Sequence, residues 1–242
     1  GPAIGGFLSK FSYAAPAYFA TAISLLTVFT TIFFLKETID EKKAVISPKT
    51  KLSFEEFKRV LAMKPIGLLI FVFFVLNTAF SIMQGNFALW TQKTFNYGPT
   101  ENGWLFAYIG ILAVFVQLKV LPFLTKKFEE KTILYISLFF MFIGLSIIPL
   151  SPHPNFLYFA LFFLPFGNGL ANPTIQALAS ENVPPEEYGE TLGFLQSAGS
   201  LGRIIGPIIG GEIFQSFGKD NAFYFAGFTV LAILVYLKLK LK

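Results

Sequence analysis

Seven long apolar runs most constrain what this chain can fold into. They lie at 14–35, 65–91, 104–124, 132–150, 156–179, 192–217 and 222–237, after a shorter apolar stretch at 1–8. Each is close to the length of about 20 residues that a membrane-spanning helix needs. None alternates with the period of two residues that is typical of a membrane β-strand. Because backbone groups inside lipid must be hydrogen-bonded internally, the runs predict an all-α integral membrane protein.

The composition supports this interpretation and argues against an enzyme. Only 14% of the residues are charged and 54% are hydrophobic, whereas soluble domains carry about 25% charged residues. The chain has no Cys and a single His, His153, so it has no disulfide framework and no thiolate metal site. The sequence contains no metalloprotease, phosphate-loop or nucleophile-elbow motif. We therefore predict no catalytic residues, no metal and no cofactor.

Basic residues predict the orientation in the membrane. Fourteen Lys and Arg lie in the connections 36–64 and 125–131 and the tail 238–242, against three in the alternate connections. The positive-inside rule places the long connection and the C-terminus in the cytoplasm. The connection 180–190 belongs to the same side although it carries four Glu, because acidic residues weigh little in this rule. The net charge of +5 thus reflects topology in a multi-pass cell-membrane protein, not nucleic-acid binding.

The long polar connection, 36–64, contains one helical pattern. Ser53 stands three residues before Glu56, which is the spacing of a capping box. One face of the segment that follows carries Phe54, Phe57, Val60 and Leu61. The pattern predicts a short amphipathic helix on the inner membrane surface, with Lys58 and Arg59 toward the headgroups. A flexible linker with a chance helical stripe is the alternative.

A hexapeptide pattern, GP-x-I-GG, occurs at 1–6 and again 205 residues later at 206–211. Both copies lie in helices that run outward from the cytoplasm, six helices apart. This spacing predicts a parallel repeat of two six-helix halves. Residues 1–35 then end the first half, 36–64 link the halves, and 65–242 form the complete second half. The chain would belong to a protein of about 400 residues, if each missing helix and its loop take roughly 30 residues.

Three stretches resemble drug–proton antiporters of the major facilitator superfamily. GPAIGG resembles the end of that family's helix-5 motif, GWLFAYIGILAVFVQ (103–117) its helix 8, and 167–211 the helices 10 and 11 of the tetracycline and multidrug efflux branch. The resemblance implies a partial major facilitator fold. It also implies proton-coupled efflux of a hydrophobic or amphipathic compound by alternating access, with the bilayer and a missing N-terminal half as partners. A metabolite uptake symporter and a non-transporting scaffold or receptor remain alternatives.

One connection departs from the family pattern. PFLTKKFEEK (122–131) has Lys126 where the family often has Asp and Glu129 where it often has Gly. This departure puts in doubt any gating ion pair that the family's Asp would make on this side.

Small residues predict the close-packed helices. Ala198, Gly202, Gly206 and Gly210 are four residues apart, so they share one helix face and let a second helix approach closely. A proline inside this helix, Pro207, removes a backbone hydrogen bond and favours a kink. The predicted gating and packing motif comprises Gly1, Pro2, Gly5, Gly6, Gly202, Gly206, Pro207, Gly210 and Gly211. Tight packing without a gating role is the alternative.

Side-chain amides, which are costly in lipid, concentrate on two of the apolar runs. The amides on each run share a face, and Phe side chains lie nearby. The predicted substrate-binding residues are Asn77, Phe80, Gln84, Phe87, Phe166, Asn168, Asn172 and Gln176. Bracketing prolines, Pro165 and Pro173, predict local unwinding around Asn168 and Asn172. Amides that only bridge helices are the alternative.

Two charges lie inside the run 192–217. Arg203 is about 11 residues past its start, which is near the bilayer midplane at 1.5 Å per residue. A guanidinium there costs about 3 kcal/mol unless it meets a partner or water. Glu212 is nine residues further on, on the opposite face, so the partner must be another helix, the substrate or cavity water. We predict a coupling role for Arg203 and Glu212; a clamp from Arg203 to a backbone carbonyl is the alternative.

Overall fold

The computed structural model describes residues 2–35 and 54–240. All seven predicted runs are helical, and the all-α prediction is confirmed. The helices are α1 Pro2–Leu8, α2 Ala15–Phe34, α3 Phe54–Ala62, α4 Ile66–Phe95, α5 Pro99–Phe115, α6 Leu121–Thr125, α7 Glu130–Ile147, α8 Pro154–Glu181, α9 Tyr188–Ser216 and α10 Asn221–Lys240. A π-helical turn, Val116–Val120, joins α5 to α6 in one span, because Pro122 has no N–H to continue the α-helical ladder.

Five spans in the described part of the chain are long and apolar enough to cross a membrane: α2, α4, α5 to α6, α7 with its terminal 3₁₀ turn, and α10. α8 and α9 have 28 and 29 residues, more than the roughly 20 that a span needs. Glycines, prolines, amides and Arg203 lower their hydropathy. These two less apolar helices carry most of the predicted site.

α4 lies at the centre of the bundle and packs against α9 and α10, with further contacts to α3 and α8. Its fully buried side chains include Phe73, Met83, Phe87 and Trp90. Since lipid tails are as apolar as these residues, the packing itself stabilises the association. α7 packs along α8, where a Cβ built on Gly167 would lie 2.7 Å from Cα of Met141.

α8 and α9 are continuous across their internal prolines. The predicted unwinding around Asn168 and Asn172 is therefore wrong for this structure. Asn172 Nδ2 donates to the Asn168 carbonyl over 3.0 Å, so this amide adds a hydrogen bond inside a continuous helix. Pro173 removes the N–H that would bond the Gly169 carbonyl, and the bond to Asn168 does not replace it.

α1 and α2 stand at the edge of the bundle. α1 packs on α5, whereas α2 buries none of its residues. The hydroxyls of Thr21, Ser24, Thr27 and Thr30 donate to carbonyls four residues earlier over 2.9–3.0 Å. Because these four hydroxyls are paired within α2, they add little polarity to its largely apolar surface.

α3 confirms that the connection 36–64 contains a short helix. Val60 is 4% exposed, and Leu61 lies directly against Gly67 at the start of α4. Lys58 and Arg59 are on the exposed side. The Ser53 to Glu56 cap lies outside the residues whose side chains are described.

Candidate functional site

The helices α9 and α4 approach each other closely along a row of glycines. A Cβ built on Gly202 would lie 2.8 Å from the Phe74 carbonyl oxygen, and one on Gly206 would lie 2.7 Å from that of Thr78. Gly210 meets the amide nitrogen of Asn86 even more closely. The structure thus places these three glycines on one face, where backbone packs directly on backbone.

Pro207 lies in the same seam. A Cβ built on Gly85 of α4 would lie 3.1 Å from Pro207 Cβ. The absence of a side chain at Gly85 therefore leaves room for Pro207. Helices packed this closely leave no room between them for a larger side chain.

Arg203 reaches across the edge of this seam to Asn77. Its Nη1 donates to Asn77 Oδ1 over 2.9 Å, and its Nη2 donates to Ser200 Oγ over 3.0 Å. Asn77 is 8% exposed, and its Nδ2 donates to the Phe73 carbonyl over 2.8 Å. That bond turns the amide oxygen of Asn77 toward Arg203. The expected partner on another helix is therefore an amide, and the rest of the guanidinium stays exposed.

Glu212 does not meet Arg203. It is exposed on α9 and accepts a hydrogen bond from Ser216 Oγ over 2.8 Å. Nine residues along a helix amount to about two and a half turns, so the two charges point to opposite sides.

A ladder of amides runs along α8. Asn172 Nδ2 donates to Asn168 Oδ1 over 2.7 Å, and Gln176 Nε2 donates to the Asn172 carbonyl over 3.3 Å. All three side chains are half-buried. The ladder holds polar groups at a surface without leaving them unpaired, and its free lone pairs and N–H groups can still bind a ligand.

The predicted aromatic neighbours do not join this ladder. Phe166 stacks on Phe140 with ring centroids 5.4 Å apart, and its ring is tilted against that of Phe162 at 4.9 Å. At about 100° per residue, Phe166 points roughly 200° away from Asn168. The structure therefore separates Phe166 from the amides, because their spacing of two residues places them on opposite sides of α8.

The predicted substrate-binding residues of α4 also fall into buried and surface groups. Phe87 is fully buried and packs edge-to-face on Phe106 of α5 at 5.4 Å, so it has no surface for a ligand. Phe80 is half-buried and Gln84 is exposed. Of the predicted set, Phe80 and Gln84 remain at the surface of α4 while Asn77 lies in the seam to α9.

The first copy of the hexapeptide pattern occupies a comparable seam. A Cβ built on Gly6 would lie 2.6 Å from Cα of Gly103 on α5, while one on Gly5 would meet nothing within 4 Å. In the second copy Gly210 is packed and Gly211 meets nothing within 4 Å. Gly1 lies outside the described residues, and Pro2 begins α1.

Sequence reasoning did not identify Ser200. It also did not identify two hydrogen bonds that join the other end of α4 to the connection between α9 and α10. Trp90 Nε1 donates to Asp220 Oδ1 over 2.6 Å, and Lys219 Nζ donates to Thr94 Oγ1 over 2.8 Å. The Lys219 ammonium also lies 5.9 Å from the centre of the Trp90 ring. Partners more than 120 residues apart give no local signal, so only the fold could bring them together.

These features define a multi-pass helical membrane protein with glycine seams and amides on its central helices. A family model described as Major Facilitator Superfamily matches residues 1–189 and 120–242. The chain belongs to the major facilitator superfamily, whose members are transporters and not enzymes.

The relatives confirm the resemblance to the efflux branch. The chain is 29% identical to Multidrug resistance protein 2 of Bacillus subtilis (strain 168), over 96% of this chain and 58% of that protein. It is 26% identical to the class H tetracycline resistance protein of Pasteurella multocida, over 86% and 52%. It is 25% identical to the quinolone resistance protein NorA of Staphylococcus aureus (strain COL), over 98% and 60%. The chain thus spans between half and three fifths of these relatives.

A solved structure confirms the fold. The human organic anion transporter MFSD10 superposes with a TM-score of 0.75 at 20% identity, over 93% of this chain and 57% of that one. Its similarity supports a partial major facilitator fold.

Proposed function

We propose that the full-length protein exports a hydrophobic or amphipathic compound in exchange for protons by alternating access. The observation that carries the proposal is the Arg203 to Asn77 hydrogen bond beside the glycine seam of α4 and α9. The Arg203 guanidinium has one neutral partner on another helix. A movement of either helix therefore changes the environment of this mid-span charge. The multidrug, tetracycline and quinolone resistance relatives support efflux over other transport.

The substrate surface in this proposal combines the α8 amide ladder with the exposed part of α4. Asn168, Asn172 and Gln176 offer hydrogen-bonding groups, and Gln84 and Phe80 add an amide and an aromatic ring. A few amides beside aromatic surface suit an amphipathic compound better than a heavily hydrated sugar. Phe87 contributes by fixing α5 to α4, and Phe166 by packing on α7.

Alternating access needs two halves, and the hexapeptide repeat supports a second half. Gly6 packs on α5, which belongs to the other half of the proposed repeat, whereas its counterpart Gly211 is open. Leu201, Ile204 and Ile208 of α9 are 49–67% exposed. We propose that a helix preceding residue 1 in the full-length protein covers this side of α9, in the same way as α5 covers α1.

Flux measurements with the full-length protein in vesicles test the proposal. Vesicles with an acidic lumen should accumulate ethidium or norfloxacin, because an antiporter releases protons outward as it takes the compound in. A proton symporter would accumulate its substrate only when the outside is acidic. No flux in either direction would favour a scaffold or receptor.

Flux measured with the 242-residue chain alone tests whether transport needs both halves. It should insert into the vesicle membrane yet carry no flux, because the preceding helices are absent. Transport by this chain alone would overturn the two-half part of the proposal while leaving the efflux part in place.

A further inference from the structure

A groove opens at one end of the bundle, between the α3 to α4 turn and the last turns of α10. It has a volume of about 670 Å³, and its lining includes Leu61, Lys64, Leu68, Phe71, Tyr236 and Lys240. Pockets for small ligands occupy about 300–1,000 Å³. The groove is separate from the α4 to α9 seam and from the amide ladder of α8.

The chemistry of the groove is divided between its rim and its wall. Lys64 and Lys240 are exposed cations at the rim. On the wall, Leu61, Phe71 and Tyr236 are 40%, 49% and 44% exposed. Among the described residues that line the groove, two are basic and none is acidic. The groove therefore complements a ligand that carries a negative charge next to an apolar portion.

Packing holds together the elements that carry the groove. Val60 is 4% and Ile66 is 1% exposed, and Leu61 meets Gly67 without room for a side chain between them. α10 packs on α4 along the same side. The two lysines are thus attached to elements that are packed against each other, although both side chains can still move at the rim.

The position of the groove indicates which ligand can reach it. It lies where α4 begins and where α10 ends, and both helices are long and apolar enough to span a membrane. The ends of such helices lie at headgroup depth. The positive-inside expectation assigns this end to the cytoplasmic side, whose leaflet carries anionic lipids.

We infer that this groove binds an anionic phospholipid of the phosphatidylglycerol type. The lipid phosphate lies between Lys64 and Lys240, and an acyl chain follows Leu68, Phe71 and Tyr236. A free phosphate would gain nothing from the apolar wall, and a zwitterionic lipid would gain less from the two lysines. This lipid site is independent of the transported compound and goes beyond the proposed efflux function.

Native mass spectrometry of the full-length protein in detergent tests the site. The protein is titrated with phosphatidylglycerol and, separately, with phosphatidylcholine of the same acyl chains. We expect wild type to retain phosphatidylglycerol at least about tenfold more tightly than phosphatidylcholine, because two lysines face the headgroup. The Lys64→Gln/Lys240→Gln double variant should lose this preference.

A matched control removes the same charge elsewhere. The Lys126→Gln/Lys127→Gln variant changes two exposed lysines at the end of α6, and it should keep the preference. A Phe71→Ser variant should weaken retention of both lipids about equally, since it changes the apolar wall and not the rim. Equal melting temperatures of all variants in detergent verify that each is folded.

Four results would overturn the inference. An equal loss in the control variant would show diffuse attraction to the whole basic end. An unchanged preference in the double variant would place the lipid elsewhere. Competition by soluble glycerol phosphate at the same concentration would show a site for a small anion. Phosphatidylglycerol binding that appears only after deletion of 36–53 would make that segment the native occupant. None of these readouts depends on transport.

Discussion

Arg203 of α9 donates a hydrogen bond from Nη1 to Oδ1 of Asn77 on α4 over 2.9 Å. The bond crosses the seam in which Gly202 and Gly206 bring the two helix backbones together. A guanidinium in mid-span costs about 2.5–3.5 kcal/mol on translocon-based scales, and one amide and one hydroxyl offset only part of this. A relative movement of α4 and α9 would therefore lengthen or break this hydrogen bond.

Replacement of Arg203 by Lys should abolish most transport without loss of folding. Lysine keeps the charge but has no planar fork, so it cannot bind Asn77 and Ser200 together as the guanidinium does. We expect proton-driven efflux by the full-length protein to fall at least about tenfold at equal protein level. The measurement is dye or drug flux in vesicles. Wild-type flux in both Arg203→Lys and Arg203→Gln would contradict a coupling role.

Asn77→Leu tests the other side of this hydrogen bond. It removes the acceptor and should reduce transport to a similar extent, with little further loss in the double variant with Arg203→Lys. Non-additive losses identify residues that act together. Ser137→Ala serves as a control, because Ser137 is buried on α7 and bonds only the Leu134 carbonyl over 2.7 Å among the described contacts.

A larger residue in the glycine seam should destabilise the bundle. Gly206→Val would place its Cβ 2.7 Å from the Thr78 carbonyl oxygen, where backbone on both sides prevents a small adjustment. We expect a loss of about 1–3 kcal/mol or more, measured as a lower melting temperature in detergent. Gly193→Val is the matched control on the same helix, because a Cβ there meets nothing within 4 Å.

The sequence predicted the helices and the seam well because both depend on local patterns. The length of an apolar run determines where a helix spans the bilayer. The four-residue spacing of Gly202, Gly206 and Gly210 determines which helix face lacks bulky side chains. Neither needs knowledge of the partner. Periodicity does not identify the partner helix, so α4 as the neighbour of these glycines came only from the fold.

The predicted pocket illustrates the opposite case. Phe166 is close to Asn168 in sequence, but a spacing of two residues puts them on opposite sides of α8. Phe87 shares α4 with the amides and is fully buried under Phe106 of α5. Proximity along the chain was a poor guide here, whereas a stricter use of helical angle would have separated Phe166 from the amides.

The amide ladder gives a prediction about substrate. Asn172→Leu removes the donor to Asn168 and the polar surface of α8, so we expect the apparent KM for the exported compound to rise several-fold. Phe166→Leu changes a side chain on the opposite side of the same helix and should leave KM within about twofold. Equal effects of the two variants would contradict a substrate surface on the amide side.

The orientation can be tested by thiol labelling, because the chain has no native Cys. Single cysteines at Lys51 and Glu187 should be protected from an impermeant thiol reagent in intact cells. Those at Asn96 and His153 should react. Labelling at Glu187 from outside would remove the alternation of connections on which the parallel repeat depends.

The open glycine of the second hexapeptide copy gives a test of the two-half architecture. Gly6 packs on Gly103, whereas Gly211, its counterpart, meets nothing within 4 Å in the described part of the chain. If a helix from the preceding half covers Gly211, then Gly211→Val should leave the melting temperature of the 242-residue chain unchanged. The same substitution should destabilise the full-length protein by about 1–3 kcal/mol, since it overpacks the interface.

Two further variants make the Gly211 comparison specific. Gly193→Val should have little effect in either length of protein, because Gly193 has no counterpart in the repeat. Gly103→Val should destabilise both lengths, because its partner Gly6 is present in each. Differential scanning fluorimetry in one detergent measures all of these variants. An equal response of Gly211→Val in the two lengths would show that no preceding helix covers this side of α9.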